Sequence, residues 1–369
     1  MAETDWRRSS HFPDDAAIQT ILAERIDARR QGVGIVLGII EGTRRRLFSY
    51  GRFGNDHARK LDADTLFELG SVTKVYTALL LADMVRRGEV ALDEPVQALL
   101  PSHLQVPTRS GRPITLHDLA SHTSGMPPMP GNFVNGGSPD PYAHYFVDDL
   151  HRFLATRTLT RKSGARYRYS NVGFGLLGHA LACRAATDYE SLLRERILLP
   201  LGLDSTAIVL SDRLKGRFAQ GHDLKLEPAP AWNVGEPFAG AGALRSTVND
   251  QLTFIEAMLG LRRSRLDAAI DDTISVRRSR GERARKVGLG WGVDVLNGDE
   301  MIAHGGETAG YSALLIFLRR AGVGVVVLAN SKFKIADIGF HLIDPSIPLS
   351  APNEVRTIVS RRNLHITKK

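Results

Sequence analysis

The spacing of apolar side chains changes period twice along the 369 residues. Near the start, residues 14–30 carry their apolar positions at helical spacing. Two short runs follow, 34–40 (GIVLGII) and 46–50 (RLFSY), with the length and residue content of strands. From Ser71 to about Met258 the helical period dominates. Val75, Leu79, Ala82 and Val85 recur on one face of a stretch that stops at Gly88, a residue suited to the left-handed position after a helix. Residues 176–186 read as another helix, and Pro/Gly-rich loops such as 126–142 interrupt the region. Past residue 290 the strand period returns, at 290–296, 301–304, 311–318 and 323–329, the last two joined by the hairpin-like turn Arg319-Arg320-Ala321-Gly322. Residues 335–343 read as a closing helix. The pattern predicts an α+β fold, with one antiparallel sheet built from both chain ends, flanked by helices, and a mostly helical region inserted between them. A single unit is expected over 1–350, its sheet-containing layer from 1–65 and 285–350 and its helical layer from 66–284, followed by a basic tail at 351–369. No internal repeat is visible.

The candidate chemistry sits where the second period begins. Ser71-Val72-Thr73-Lys74 puts a hydroxyl and an amine three residues apart at the start of the predicted helix. Side chains at that spacing are neighbours on a helix, so Lys74 can help to deprotonate Ser71, the arrangement a covalent serine nucleophile needs. A helix N-terminus also favours a developing oxyanion. The pattern alone is weak, because Ser331-Lys332-Phe333-Lys334 repeats it in a polar turn after a strand. The bland alternative for Ser71 is an N-cap with Lys74 in solvent. Context shifts the balance: Tyr169-Ser170-Asn171 is the one Tyr-x-Asn in the chain, and His304-Gly305-Gly306 the one His-x-Gly.

Ser-x-x-Lys, then Tyr-x-Asn, then a cation-x-Gly on a late strand, resembles the serine β-lactamase and penicillin-binding superfamily, in particular its class C branch with the related D-alanyl carboxypeptidases and esterases. The stretches 119–127 (LASHTSGMP), 241–247 (AGALRST) and 302–330 carry the same resemblance, which covers most of the chain. It implies a β-lactamase/transpeptidase-like fold and a hydrolase in which Ser71 is acylated, Lys74 and Tyr169 act as a coupled general base, and Tyr169 protonates the leaving group. It further implies that Asn171 orients the substrate amide while holding Lys74. The backbone N–H groups of Ser71 and Glu307 would bind the oxyanion. Gly305 and Gly306 would let substrate backbone approach the strand. His304 stands where lysine is common, and an unperturbed imidazole is mostly neutral at pH 7, so it attracts a substrate carboxylate less reliably. The resemblance implies β-lactam or D-alanyl-type amide substrates. A carboxylesterase on the same fold, a penicillin-acylated sensor without turnover, and a degenerate scaffold are the alternatives.

Composition trims the remaining options. The net charge of +8 comes from short scattered clusters such as Arg44-Arg45-Arg46, Arg262-Arg263 and Arg277-Arg278, with no interleaved aromatics, so a solvated basic face is expected and no nucleic-acid partner; the partner is a small-molecule or peptide substrate. One cysteine, Cys183, excludes an internal disulfide. His179 and Cys183 are expected to be a packed imidazole and a buried thiol, and His117 and His122 lack metal-ligand spacing, so neither metal nor cofactor is expected. Gly173-Phe174-Gly175-Leu176-Leu177-Gly178 matches a dinucleotide fingerprint but follows no apolar strand, and no Gly-x-Ser-x-Gly elbow is present. The polar segment 1–13 lacks an apolar leader core and no run reaches the length of a membrane span, so the chain as given is expected to be cytoplasmic, or periplasmic if a leader has been removed.

Overall fold

Eight antiparallel strands form the sheet of the computed structural model, which describes residues 10–55, 58–134, 137–275, 278–279 and 286–349. The expected basic tail, residues 1–9 and Arg277 lie outside these. Strands β1 (Gly34–Glu41), β2 (Arg44–Gly51), β3 (Arg278–Ser279), β4 (Lys286–Val287), β5 (Gly292–Leu296), β6 (Asp299–Glu307), β7 (Ser312–Leu318) and β8 (Val323–Ala329) lie in the order β2-β1-β8-β7-β6-β5-β4-β3. Strands near the two ends of the chain therefore meet at the β1–β8 pair, where Ile35 faces Ala329 and Glu41 faces Val323.

Burial explains why β1, β7 and β8 are apolar on both faces rather than alternating. Ile35, Leu37 and Ile39 of β1 pack, with Val325 and Val327, against α1 (Asp15–Ala23) and the closing helix, residues 336–343. Val36 and Ile40, with Val326 and Leu328, face the large helical layer on the other side. That layer is organised around α2 (Thr73–Arg86), in which every residue from Thr73 to Met84 is buried. Helices α3 (Asn171–Ala185), α4 (Glu236–Gly242) and α5 (Val248–Met258) surround it, and the closing helix is α6 (Ala336–Ile343). The first predicted helix continues beyond Ala23 as a π-helical turn over Glu24–Ala28. Among the described residues no helix is long and apolar enough to cross a membrane.

The fingerprint-like glycines of α3 have a packing role. A Cβ on Gly175 would lie 2.0 Å from the Pro237 carbonyl oxygen, and one on Gly178 would lie 2.9 Å from Gly240 Cα. A side chain on Gly240 would in turn meet the Phe174 carbonyl at 2.8 Å. These glycines let α3 and α4 touch backbone to backbone, and α4 is thereby held against α2.

Candidate active site

Ser71 lies in a 3₁₀ turn, Gly70–Val72, immediately before α2. The nucleophile candidate therefore sits two residues ahead of the α-helix rather than on its first turn. The turn leads into α2 without a break, so Ser71 and Lys74 still share one face. The Lys74 Nζ donates to Ser71 Oγ at 2.9 Å and to the Ala241 carbonyl at 2.6 Å. Lys74 is completely buried and has no carboxylate partner among the described residues, and burial holds its amine well below the ordinary lysine range. Burial pushes the Tyr169 phenol well above the usual tyrosine range, and the neighbouring Ser71 hydroxyl opposes that shift only in part. The Lys74 nitrogen is 5.0 Å from the centre of the Tyr169 ring. Desolvation acts on both groups in the same sense, toward neutral amine and neutral phenol. In that state the lysine lone pair is the base nearest the Ser71 hydroxyl, and the phenol is a proton donor.

Two of the expected contacts are made differently. Asn171 does not hold Lys74; its side chain, on the first residue of α3, donates to Met129 Sδ at 3.6 Å. The lysine is held instead by the C-terminal end of α4 through the Ala241 carbonyl, while the neighbouring Gly240 carbonyl takes the Thr77 hydroxyl at 2.7 Å and Leu244 N–H donates to the Thr73 hydroxyl at 3.1 Å. The 241–247 stretch is thus the cradle of the Ser71 turn, which Leu69 N–H also joins by donating to the Leu244 carbonyl at 2.8 Å. Helix-backbone carbonyls leave no residue-type signal, which is why Ala241 escaped the reading of the sequence. Small residues at 239–243 were the available hint.

The second correction concerns β6. The strand does not end at His304 but runs to Glu307, paired with β7 from Met301 to Glu307, whereas β5 covers only Asp299–Ala303. Residues 304–307 therefore present a local open edge inside the sheet. Thr308 N–H donates to the Tyr311 carbonyl, and the alternation of an antiparallel ladder then turns the backbone N–H groups of Gly305 and Glu307 away from β7, toward the cleft. Gly306 serves the protein's own backbone first. A Cβ there would lie 1.9 Å from the Leu69 carbonyl oxygen and 3.0 Å from Ser71 N. Gly70, at φ +49°, has the reciprocal need: its Cβ would lie 2.8 Å from the Glu307 carbonyl oxygen. Two glycines thus bring the Ser71 turn into contact with the end of β6, and the first N–H groups of the turn have no partner within it. His304 is half-buried, and its Nδ1 lies 2.8 Å from the Gly305 carbonyl.

A cleft of about 590 Å³ joins these parts. Ser71, His122, Tyr169, His304 and Glu307 line it, together with Lys334 and Phe340 from the end of the sheet-containing layer. The 126–142 and 232–238 segments meet in a cluster of rings, with Tyr142 5.0 Å from Trp232 and Phe133 5.6 Å from Phe238. Below the turn, Glu68 is buried beside Arg245 at 3.5 Å; burial pushes its carboxyl up and the guanidinium opposes that shift. Away from the cleft, His179 is packed as expected, with Glu236 3.0 Å from its Nδ1 and His151 3.3 Å from its Nε2, but Cys183 is half-buried rather than buried. Among the described residues no three histidine, cysteine or acidic side chains are arranged to hold a metal ion.

Comparison with known proteins places this geometry. The family model described as Beta-lactamase matches residues 18–343. The D-alanyl-D-alanine-carboxypeptidase/endopeptidase AmpH of Escherichia coli is 31% identical over 233 residues, 61% of this chain and 57% of that protein, so the chain spans little more than half the length of that relative. A Pseudomonas fluorescens beta-lactamase is 24% identical over 341 residues, covering 82% of this chain and 90% of the relative. Among solved structures, a beta-lactamase/D-alanine carboxypeptidase from Yersinia pestis superposes with a TM-score of 0.75 at 22% identity, over 90% of this chain and 98% of that one, a likeness of fold.

Proposed function

This chain belongs to the beta-lactamase family, and from that premise we propose that it is a serine hydrolase that works through a covalent acyl-Ser71 intermediate, on β-lactams or D-alanyl-type amides. The observation that carries the reading is the buried Lys74 Nζ at 2.9 Å from the Ser71 hydroxyl, with Tyr169 lining the same cleft. In the step they support, the neutral Lys74 amine takes the proton as Ser71 Oγ bonds to the substrate carbonyl carbon, and the carbonyl electron pair moves onto oxygen. The N–H groups of Ser71 and Glu307 receive that oxyanion. Collapse breaks the C–N bond as Tyr169 gives its proton to the leaving nitrogen, and the Lys74 ammonium returns a proton to the phenolate. Water then releases the acyl group. Gly305, with its N–H on the open edge of β6, and His304 flank the substrate, and Asn171 takes its amide side chain once it leaves Met129.

One feature favours a carboxylesterase as the second reading. The position suited to a cation holds an imidazole, His304, so binding need not depend on a substrate carboxylate. Intact-mass spectrometry with nitrocefin and with a p-nitrophenyl ester, beside the S71A variant and followed by turnover, separates the cases. A transient Ser71 adduct with nitrocefin turnover supports the β-lactam reading, and turnover of the ester alone supports the esterase. A lasting adduct without turnover identifies a sensor. No adduct with either compound removes Ser71 as the nucleophile for these substrates.

A further inference from the structure

The 119–127 stretch contains a histidine that neither the nucleophile nor the oxyanion site uses. His122 is 2% exposed, lines the cleft, and has a left-handed backbone at φ +58°, a conformation that glycine, asparagine, aspartate and histidine adopt more readily than other residues. That conformation is held by three consecutive residues, Arg168, Tyr169 and Ser170, which lead into and share the Tyr-x-Asn segment. Arg168 N–H donates to the His122 carbonyl at 2.7 Å, and Ser170 N–H donates to His122 Nδ1 at 3.1 Å. Between them, the Tyr169 ring packs on the imidazole with centroids 4.4 Å apart and planes 33° apart. Phe174 (4.9 Å) and Tyr167 (5.5 Å) also pack against the imidazole. Because Nδ1 accepts a backbone N–H, its lone pair is committed and the neutral ring carries its proton on Nε2. Further along, the Pro127 carbonyl takes the Ser170 hydroxyl at 2.6 Å and the Pro128 carbonyl takes Asn171 N–H at 3.0 Å. The loop and the Tyr-x-Asn segment are therefore laced together from residue 168 to residue 171.

We infer that His122 is a positioning residue: through the bond its Nδ1 accepts from Ser170 N–H it holds Tyr169, the preceding residue, with its phenol toward Ser71, so that proton transfer to the leaving group starts from the reactive geometry. The role rests on the acyl-Ser71 reading above. It is distinct from a packing role, because the ring and the Nδ1 acceptor can be removed separately. In H122F the ring contact with Tyr169 survives and the acceptor is lost. In H122N the side-chain oxygen can stand where Nδ1 stood, and asparagine tolerates a positive φ, so the Ser170 bond is kept without the ring.

The test is the pre-steady-state acylation rate at Ser71, read by quenched intact mass with nitrocefin and with a p-nitrophenyl ester, together with kcat, KM and the thermal midpoint of each variant. Misplacing a reacting group by about 1 Å costs on the order of a hundredfold. H122F is accordingly expected to lose about tenfold to a hundredfold in acylation rate with KM little changed, and to lose more on the amide than on the ester, whose leaving group needs the phenol's proton less. H122N is expected to lie within about threefold of wild type, restored by its acceptor. Wild-type acylation with H122F equal to wild type overturns the inference alone, as does H122N falling as low as H122F. No Ser71 adduct on the wild-type protein overturns the hydrolase reading and this inference with it. If H122F does not fold, H122N decides: a loss of tenfold or more overturns the claim that the acceptor is what positions Tyr169.

Discussion

Ser71–Lys74 and Ser331–Lys334 share one sequence pattern, but only the first pair makes a hydroxyl–amine contact among the described residues. At Ser71 the chain turns through a 3₁₀ turn into α2, so residues three apart face the same way and Lys74 reaches Oγ. At Ser331 the chain leaves β8 in an irregular bend before α6. Ser331 is fully buried and its hydroxyl has no hydrogen-bond partner among the described residues, while Lys334 is half-buried and its carbonyl takes a hydrogen bond from Arg25. The spacing thus carries no chemistry by itself. Helical geometry brings the two groups together, and burial of the amine lowers its pKa toward the neutral form that the proposed base role needs.

The largest break in this comparison comes from Lys74→Met, which keeps the stem volume and removes the amine. Acylation of Ser71 is expected to fall by at least about 10³-fold, in line with the loss of a general base that activates a nucleophile. Stability moves the other way. The folded-state pKa of Lys74 is depressed by burial, so between that value and the unfolded value near about 10.4 the unfolded chain binds a proton that the folded chain does not. Stability therefore rises with pH across that window and is held down below it. Methionine removes the penalty, and the thermal midpoint at pH 7 is expected to rise by about 2 °C or more. Calorimetry of K74M beside wild type checks this; a midpoint that falls would mean that the amine's two hydrogen bonds outweigh its desolvation.

The same depression sharpens the comparison through pH. Acylation needs the neutral amine, so its rate should climb with pH through the folded-state pKa of Lys74 and level off below the ordinary lysine range. Tyr169 has its pKa raised, so it stays protonated across neutral pH and adds no alkaline fall there. A single-turnover acylation profile from pH 5 to 9.5 tests both statements, and a fall in rate before pH 9 would contradict the second.

A more remote break acts through α4. In Gly240→Val the added side chain meets the Phe174 carbonyl and Gly178 Cα, so α4 must move off α3. Overpacking of this kind costs about 1–3 kcal/mol. Because Ala241 is the next residue, the displacement also draws its carbonyl from Lys74, and activity should fall by about tenfold beyond what unfolding explains. Denaturant titration and acylation measured at a temperature where the variant is fully folded separate the two effects.

How much of this was legible in the sequence follows from which contacts are written in side chains. Six strands of the large sheet and α2 were readable because their apolar periods are strong, whereas the two-residue strands β3 and β4 carry no period to read; Ser71, Lys74 and Tyr169 stood out as candidates because they carry distinctive groups at distinctive spacing. The open edge of β6 was not readable, since it depends on where β5 stops, and the strand runs three residues past His304. Nor was the Ala241 carbonyl, which any residue could supply. Gly306 was singled out for the substrate's approach, whereas the first backbone to press on it is that of Leu69. The glycines of α3 looked like a phosphate loop because close approach of a ligand backbone and close approach of a helix need the same missing Cβ.

The smallest expected effect is also the most direct check that environment, and not spacing, separates the two pairs. Ser331→Ala removes a hydroxyl that is buried without a partner among the described residues. An unsatisfied buried polar group costs about 1–3 kcal/mol, so its removal should leave stability unchanged or raise it by up to about 1 kcal/mol, the lost contacts of one oxygen being the offset. Acylation at Ser71 and turnover should stay within about twofold of wild type. The equivalent change at Ser71 deletes the nucleophile, so two single-oxygen deletions in identical motifs are expected to differ by the whole of the catalysis. Equilibrium denaturation with parallel acylation assays measures both. A destabilisation above about 1 kcal/mol for S331A would place an ordered water on that hydroxyl.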